Sequence, residues 1–361
     1  MDPIFPANTP EGFAYTPAFV LQPGTRIKPL GLISPKRDGT VRSSIADQTR
    51  DCLLNLSDAL SEHGPSARAV KLVRFMTDVR EIWSSQPEFD QHFGSDLPTS
   101  TLIEVPVCSE FGFRVELDVW AAVPDSHERR SKSPGFLGFA NASAGLAAGK
   151  GAAAEFNAAI DAITNRVSAV GGSGRVVKLE VYLSDMRVWP ICQDVVRSRY
   201  PTRPPVVVPI SAPKVLEEGS CINVEATFEL PSVTEGTSDI SRVTFDKRIV
   251  AISGQPAIPV FVGGKARDTY KHRPEASAAE QTVVALRNLE HILAAAGSDW
   301  DNVFKTTWYV MDLREWPEIQ QAAYAVMGQP PPSPTVLEVS KLVAPAVRVE
   351  PDIWAVVKSD S

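Results

Sequence analysis

The sequence predicts an α+β fold built from three copies of one unit. The first observation is three segments that align: 70–80, 177–187 and 304–314. Each runs from a lysine (Lys71, Lys178, Lys305) to an aspartate (Asp78, Asp185, Asp312) at one spacing, and an arginine (Arg80, Arg187, Arg314) follows. The second is an amphipathic helical stretch before each segment. The third is an acid at one fixed distance beyond each aspartate: Asp118, Glu225 and Asp352. Self-similarity at this level marks a repeat architecture.

The elements follow in order. The aligned segments are rich in β-branched and aromatic residues, so each reads as a strand ending at its aspartate. Ahead of the first lie Ile45, Cys52, Leu53, Leu56 and Leu60, with Gly64 beyond. Phe156, Ile160, Ile163, Val167 and Val170 precede the second, before Gly171 and Gly172. Leu286, Leu289 and Leu293 precede the third, before Gly297. Spacings of three and four put these side chains on one helical face, and glycine marks the stop. After each aspartate come a short helical stretch, a proline-containing loop and two more strands. Each unit therefore reads strand, strand, helix, strand, helix, strand, strand, with its helices on one sheet face. The polar stretch 124–134 and the Ser/Thr/Gly-rich stretch 231–239 read as connections. They place the repeats at 1–124, 125–232 and 240–361. Trp83, Trp189 and Trp316 recur after the strands, and Trp120 and Trp354 near the unit ends. All five read as packing residues.

Composition narrows the function. The 361 residues carry a net charge of −7, which argues against a general nucleic-acid binder, since that role needs a basic surface. No apolar run reaches the ~18 residues of a membrane span. The N-terminus lacks the basic start and apolar stretch of a signal peptide. Cys52, Cys108, Cys192 and Cys221 are widely spaced, so the expectation is reduced thiols, a cytoplasmic location and no metal site. The five histidines are scattered. Gly171-Gly172-Ser173-Gly174 follows a helix instead of opening one, so it reads as a turn and not a phosphate loop.

Two further stretches carry a family signature. They are Gln48-Thr49-Arg50-Asp51-Cys52-Leu53-Leu54-Asn55-Leu56 and Gln281-Thr282-Val283-Val284-Ala285-Leu286-Arg287-Asn288-Leu289. With the Val-Lys…Asp strands, they resemble the Rid family, also called YjgF or L-PSP endoribonuclease-like. The likeness runs three times along nearly the whole chain. It implies chorismate-mutase-like units that associate in threes, with small-ligand clefts between neighbours. Three units in one chain then imply an intramolecular pseudo-trimer, a barrel of sheets inside and helices outside, that is monomeric as a chain. A sheet with helices on one side also has another face to bury.

The resemblance implies chemistry as well. In the family an arginine of a Pro-x-Arg motif binds a substrate carboxylate, which suits a planar guanidinium fork. A glutamate on the last strand positions or protonates the reacting group. Only the middle repeat keeps both, as Tyr200-Pro201-Thr202-Arg203 and Glu225. Ser100 and Asp118 replace them in the first repeat, Pro334 and Asp352 in the third. This alignment opens a gap before Arg203 and brings Pro106 level with Pro209. The alternative for Arg203 is a structural ion pair, and for Glu225 a salt bridge between repeats. The stretch 260–265 aligns with the family's Ser-Gly-Gln turn. Gly264 and Lys265 are thus candidate substrate-binding residues, although Gly263 replaces the serine and Lys265 is alternatively a solvated lysine. The implied function is an enzyme acting on a small carboxylate-bearing molecule in one inter-repeat cleft, most simply hydrolysing an imine or enamine without a cofactor. A specialised biosynthetic catalyst of a cyclisation, isomerisation or lyase step, or a non-catalytic small-molecule binder, are the alternatives.

Overall fold

The computed structural model describes residues 2–4, 18–20, 25–94, 98–124, 136–169, 174–202, 205–215, 219–230, 249–252, 277–295, 298–328, 330–342 and 346–356. They fall into two compact units, 1–246 and 247–361. The first unit holds two sheets and the second holds one.

In the first repeat, β3 (Thr25–Ile33), α1 (Ile45–Ser61), β4 (Arg68–Met76), α2 (Ile82–Phe93), β5 (Thr99–Glu104) and β6 (Val115–Pro124) give a sheet of order β3-β6-β4-β5. The second repeat contributes β7 (Phe136–Ser143), α3 (Ala152–Ala169), β8 (Arg175–Leu183), α4 (Trp189–Arg199), β9 (Val206–Ser211) and β10 (Ile222–Leu230). Two N-terminal strands, β1 (Asp2–Ile4) and β2 (Ala18–Val20), join this second sheet by pairing β2 with β7, giving the order β1-β2-β7-β10-β8-β9. The predicted strand pair at the start of the first repeat is therefore split between two sheets. The second unit has β11 (Ile249–Ile252), α5 (Ala278–Ala295), β12 (Val303–Val310), α6 (Trp316–Met327), β13 (Pro334–Glu338) and β14 (Val349–Val356), ordered β11-β14-β12-β13. The described strands form three separate sheets and not a barrel.

The repeated signature residues have physical reasons. Asp78, Asp185 and Asp312 each accept the backbone N–H two residues on and grip the guanidinium of Arg80, Arg187 or Arg314. They cap the turn that reverses the strand into α2, α4 or α6. Gln48 donates to the Arg42 and Gly112 carbonyls and accepts from the Arg114 N–H. Gln281 repeats this with the Ala346 carbonyl and the Arg348 N–H. The signature glutamine thus pins the loop before the last strand to the helix. In the second repeat Glu155 takes the same place, accepting from the Gly149 and Cys221 N–H groups and the Ser220 hydroxyl.

Strand alternation sorts the side chains onto two faces. Val115, Leu117 and Val119 of β6 pack with Cys52, Leu53 and Leu56 of α1. Ile222, Val224 and Ala226 of β10 pack with Phe156, Ile160 and Ile163 of α3. Val349, Ile353 and Ala355 of β14 pack with Leu286, Leu289 and Leu293 of α5. The alternate residues, Glu116, Asp118, Asn223, Glu225, Glu350 and Asp352, are turned from the helices and yet buried. Gly138 of β7 lies where a Cβ would meet the Phe228 ring at 2.3 Å.

Two sequence expectations are corrected. Trp83 is 81 % exposed. Ile82, which opens α2 as Trp189 opens α4 and Trp316 opens α6, holds the packed repeat position. The parallel register also needs no gap in the middle repeat. Leu72 faces Ser100, Leu179 faces Val207 and Thr306 faces Pro334. Val105 and Ala212 donate to the equivalent Met76 and Leu183 carbonyls, so Pro106 is level with Pro213 and not with Pro209. Val207 therefore stands where Ser100 and Pro334 do, and position 203 precedes β9.

All four cysteines are free, with Cys52, Cys108 and Cys192 buried and Cys221 half-buried. Among the described residues no helix is long and apolar enough to cross a membrane.

Candidate functional site

The three aligned lysines all sit on the sheet face turned from the helices, and all are buried. Buried lysine is rare unless paired. Lys71 reaches across from the first repeat to two acids of the second, Glu180 at 3.3 Å and Glu225. Lys178 stands 3.4 Å from Glu180. Lys305 donates to the Ser333 carbonyl at 3.3 Å and to the Thr335 hydroxyl.

Glu225 is fully buried and densely contacted. Thr101 of the first repeat donates its hydroxyl to Oε2 at 2.6 Å. Asn141 donates to Thr101 at 2.9 Å and to the Asn223 side chain at 2.8 Å. The Lys71 ammonium lies 5.5 Å from the Phe139 ring and 5.8 Å from the Trp120 ring. Burial drives the Glu225 pKa up, Lys71 pulls it back and Glu180 adds to the rise, leaving it at about 8. Burial also acts on Glu180, but the two lysine charges outweigh it and its pKa falls. For Lys71 burial acts downward, and the two glutamates more than offset it. The salt bridge between repeats, one of the two readings of Glu225, is present.

Arg203, Gly264 and Lys265 lie outside the described residues. A cleft of about 360 Å³ ends at Pro201 and Thr202, beside position 203. Its lining includes Arg175, Arg199, Tyr200 and the C-terminal turns of α3. Arg199 pairs with Asp161 there. Among the described residues no group of three or more His, Cys, Asp or Glu side chains is placed to hold a metal ion.

Two acids that the sequence reading passed over stand out instead. They occupy the first acid position of the closing strand, two residues before Asp118 and Asp352. Glu116 is buried, and burial pushes its pKa up to about 7 even though Ser109 donates both its N–H and its hydroxyl. Glu350 is 2 % exposed, and its Oε2 has no hydrogen-bond partner among the described residues. Burial first, and then the Asp352 charge, push its pKa up to about 8. Across the ladder Glu350 faces Tyr309. In the middle repeat this position is Asn223, which cannot titrate. A carboxyl kept neutral near pH 7 by burial is able to donate a proton, as a general acid must. A sequence signal for both existed: Glu-x-Asp recurs at 116–118 and 350–352, with tryptophan two residues later.

Comparison with known proteins points the same way as the repeat. The family model described as Endoribonuclease L-PSP matches residues 238–357. No curated protein matches. Among solved structures, Rv2704 of Mycobacterium tuberculosis, a member of the YjgF/YER057c/UK114 family, is 28 % identical over 30 % of this chain and 79 % of its own, with a TM-score of 0.24. Yeast Mmf1 is 23 % identical over 30 % of this chain and 80 % of its own, with a TM-score of 0.25. A chorismatase is 12 % identical and covers 80 % of this chain and 92 % of its own, with a TM-score of 0.50. That last likeness extends the fold over most of the chain.

Proposed function

We propose, for a chain that belongs to the Rid (L-PSP endoribonuclease-like) family and so to the proteins that process or bind small molecules, that it hydrolyses an imine or enamine of a small carboxylate-bearing compound, with Glu350 as its acid. The observation that carries this reading is the buried Glu350, one oxygen of which has no hydrogen-bond partner among the described residues, inside the stretch that the family model matches.

The chemistry balances on one carboxyl group. Glu350 gives its proton to the nitrogen of an imine, or to the β-carbon of an enamine, and either way an electrophilic iminium carbon results. The resulting carboxylate takes a proton from the attacking water as the C–O bond forms. The carbinolamine then returns the carbonyl compound and ammonia. Burial keeps the proton on Glu350 near neutral pH, and the charge of Asp352 reinforces this. Lys265, with Gly264, is the proposed partner of the substrate carboxylate.

A second reading keeps Arg203 and Glu225 as the working pair. It is favoured by the raised pKa of the buried Glu225. The test is ammonia release from 2-iminobutanoate and 2-aminoacrylate generated in situ. Turnover that E350Q abolishes and R203A retains supports the first reading. The converse supports the second. No ammonia from the wild-type protein with either compound overturns both.

A further inference from the structure

Lys71 carries its ammonium out of the first repeat and into the second, and its surroundings there suit an ammonium. Glu180 and Glu225 stand directly opposite each other on adjacent strands, β8 and β10. The Lys71 Nζ ion-pairs with both, with Glu180 at 3.3 Å. Two aromatic rings stand on other sides. Phe139 of β7 lies 5.5 Å and Trp120 of β6 lies 5.8 Å from the Nζ, and the two ring centres are 5.9 Å apart. Thr101 of β5 donates its hydroxyl to Glu225 and steadies that carboxyl from the side of the first repeat. All of these residues are buried.

Each part has a physical reason. A primary ammonium has three donors and no acceptor, so carboxyl oxygens answer both its charge and its N–H groups. Aromatic faces attract a cation within about 6 Å of the ring centroid, and both rings lie inside that limit. A buried acid pair without its cation is costly, so the site calls for an occupant.

The other repeats lack this combination. Lys71, Lys178 and Lys305 align, but Lys178 pairs with Glu180 of its own repeat, and Lys305 reaches the Ser333 carbonyl and the Thr335 hydroxyl. Where Glu180 stands, the register puts Val73 and Thr307, and where Phe139 stands it puts Pro29 and Ala251. The acid pair and the ring beside it belong to the second repeat.

We infer that the second repeat carries a recognition site for a primary alkylammonium, formed by Glu180, Glu225 and Phe139 with Trp120 of the first repeat, and that Lys71 is its built-in ligand. The lysine latches the first repeat to the second and keeps the site closed to free amines. The latch closes on repeats that also meet elsewhere, since Ile103 and Val215 form a backbone bridge between them.

Chemical rescue tests this. Lys71→Ala removes the side chain from Cγ to Nζ, and n-propylammonium reproduces those atoms one for one. Thermal melts of the full-length variant are recorded with propylammonium chloride, with sodium chloride at equal concentration and with n-propanol. Propylammonium should raise the midpoint of Lys71→Ala in a saturable way, with half the rise at roughly millimolar concentration for so small a ligand. Salt and propanol should not. The wild type, whose site is filled, should gain nothing beyond the salt control. Lys71→Met locates the effect, because its side chain fills the space of the lysine stem and lacks the ammonium, so propylammonium should fail to rescue it. If Lys71→Ala does not fold alone, the yield of folded protein on refolding with propylammonium against sodium chloride gives the same reading. No saturable gain over both controls, equal refolding yields, or an equal gain in the wild type or in Lys71→Met overturns the site. None of these readouts depends on turnover, so they fail or succeed apart from the catalytic role of Glu350.

Discussion

Glu225 and Glu350 are both buried, and burial first of all pushes each up to about 8. Their surroundings are opposite. Glu225 is gripped by Lys71 and Thr101, both from the first repeat. Each has one oxygen without a hydrogen-bond partner among the described residues, but that of Glu225 is ion-paired to Lys71, whereas that of Glu350 has no ion pair among them. A raised pKa alone therefore does not identify a working acid. The partner set separates an acid that holds a structure together from one that is available to a substrate.

Four predictions sharpen or break this comparison. The largest effect belongs to Glu350. E350Q should fold, melt no lower than the wild type, and lose about 10²–10⁴-fold in turnover, the usual worth of a general acid. Steady-state kinetics beside circular dichroism checks both halves. Next comes Lys71→Ala, which leaves Glu180 and Glu225 buried without their shared cation. Losing one partner of a buried ion pair costs about 3–5 kcal/mol, so chemical denaturation should show a large drop in the first unit. Equal stability in this variant would remove the contrast between the two acids.

A smaller effect is expected at Gly138, where an added Cβ would sit 2.3 Å from the Phe228 ring. Gly138→Ala should cost about 1–3 kcal/mol by overpacking, and a second change, Phe228→Leu, should recover part of it. The smallest is Gln281→Ala in the second unit. It leaves the Ala346 carbonyl and the Arg348 N–H without their partner, at about 1–3 kcal/mol if they stay dry and less if water enters. Because this pin sits just before β14, its loss should also lower turnover by loosening Glu350. A fully active Gln281→Ala protein would show that β14 holds its position without the pin.

Much of the fold was legible in the sequence because it depends on local rules. The spacing of Phe156, Ile160, Ile163 and Val167 marks a helix face, and Asp78, Asp185 and Asp312 mark strand ends because a short acid is needed to cap the next turn. The sharing of β1 and β2 with the second sheet was not legible. Strand pairing between repeats leaves no mark on local pattern. The middle repeat illustrates the same limit: a gap chosen to reach Arg203 overrode a register that runs unbroken from Lys178–Val206 to Leu183–Ser211. The acids were harder still. Glu350 and Asp352 share one strand face, so alternation cannot rank them. What distinguishes Glu225 is a lysine from another repeat, far away in sequence. Only the assembled sheets reveal that it is occupied.

The most direct test of the central claim is the pH dependence of imine hydrolysis by the wild-type protein and by E350Q. Glu350 acts in its protonated form. The wild-type rate should therefore fall as pH rises through about 8, and E350Q should show neither the rate nor that limb. A wild-type rate that stays level through this range, or a folded E350Q that turns over as fast as the wild type, would contradict the assignment of Glu350 as the acid.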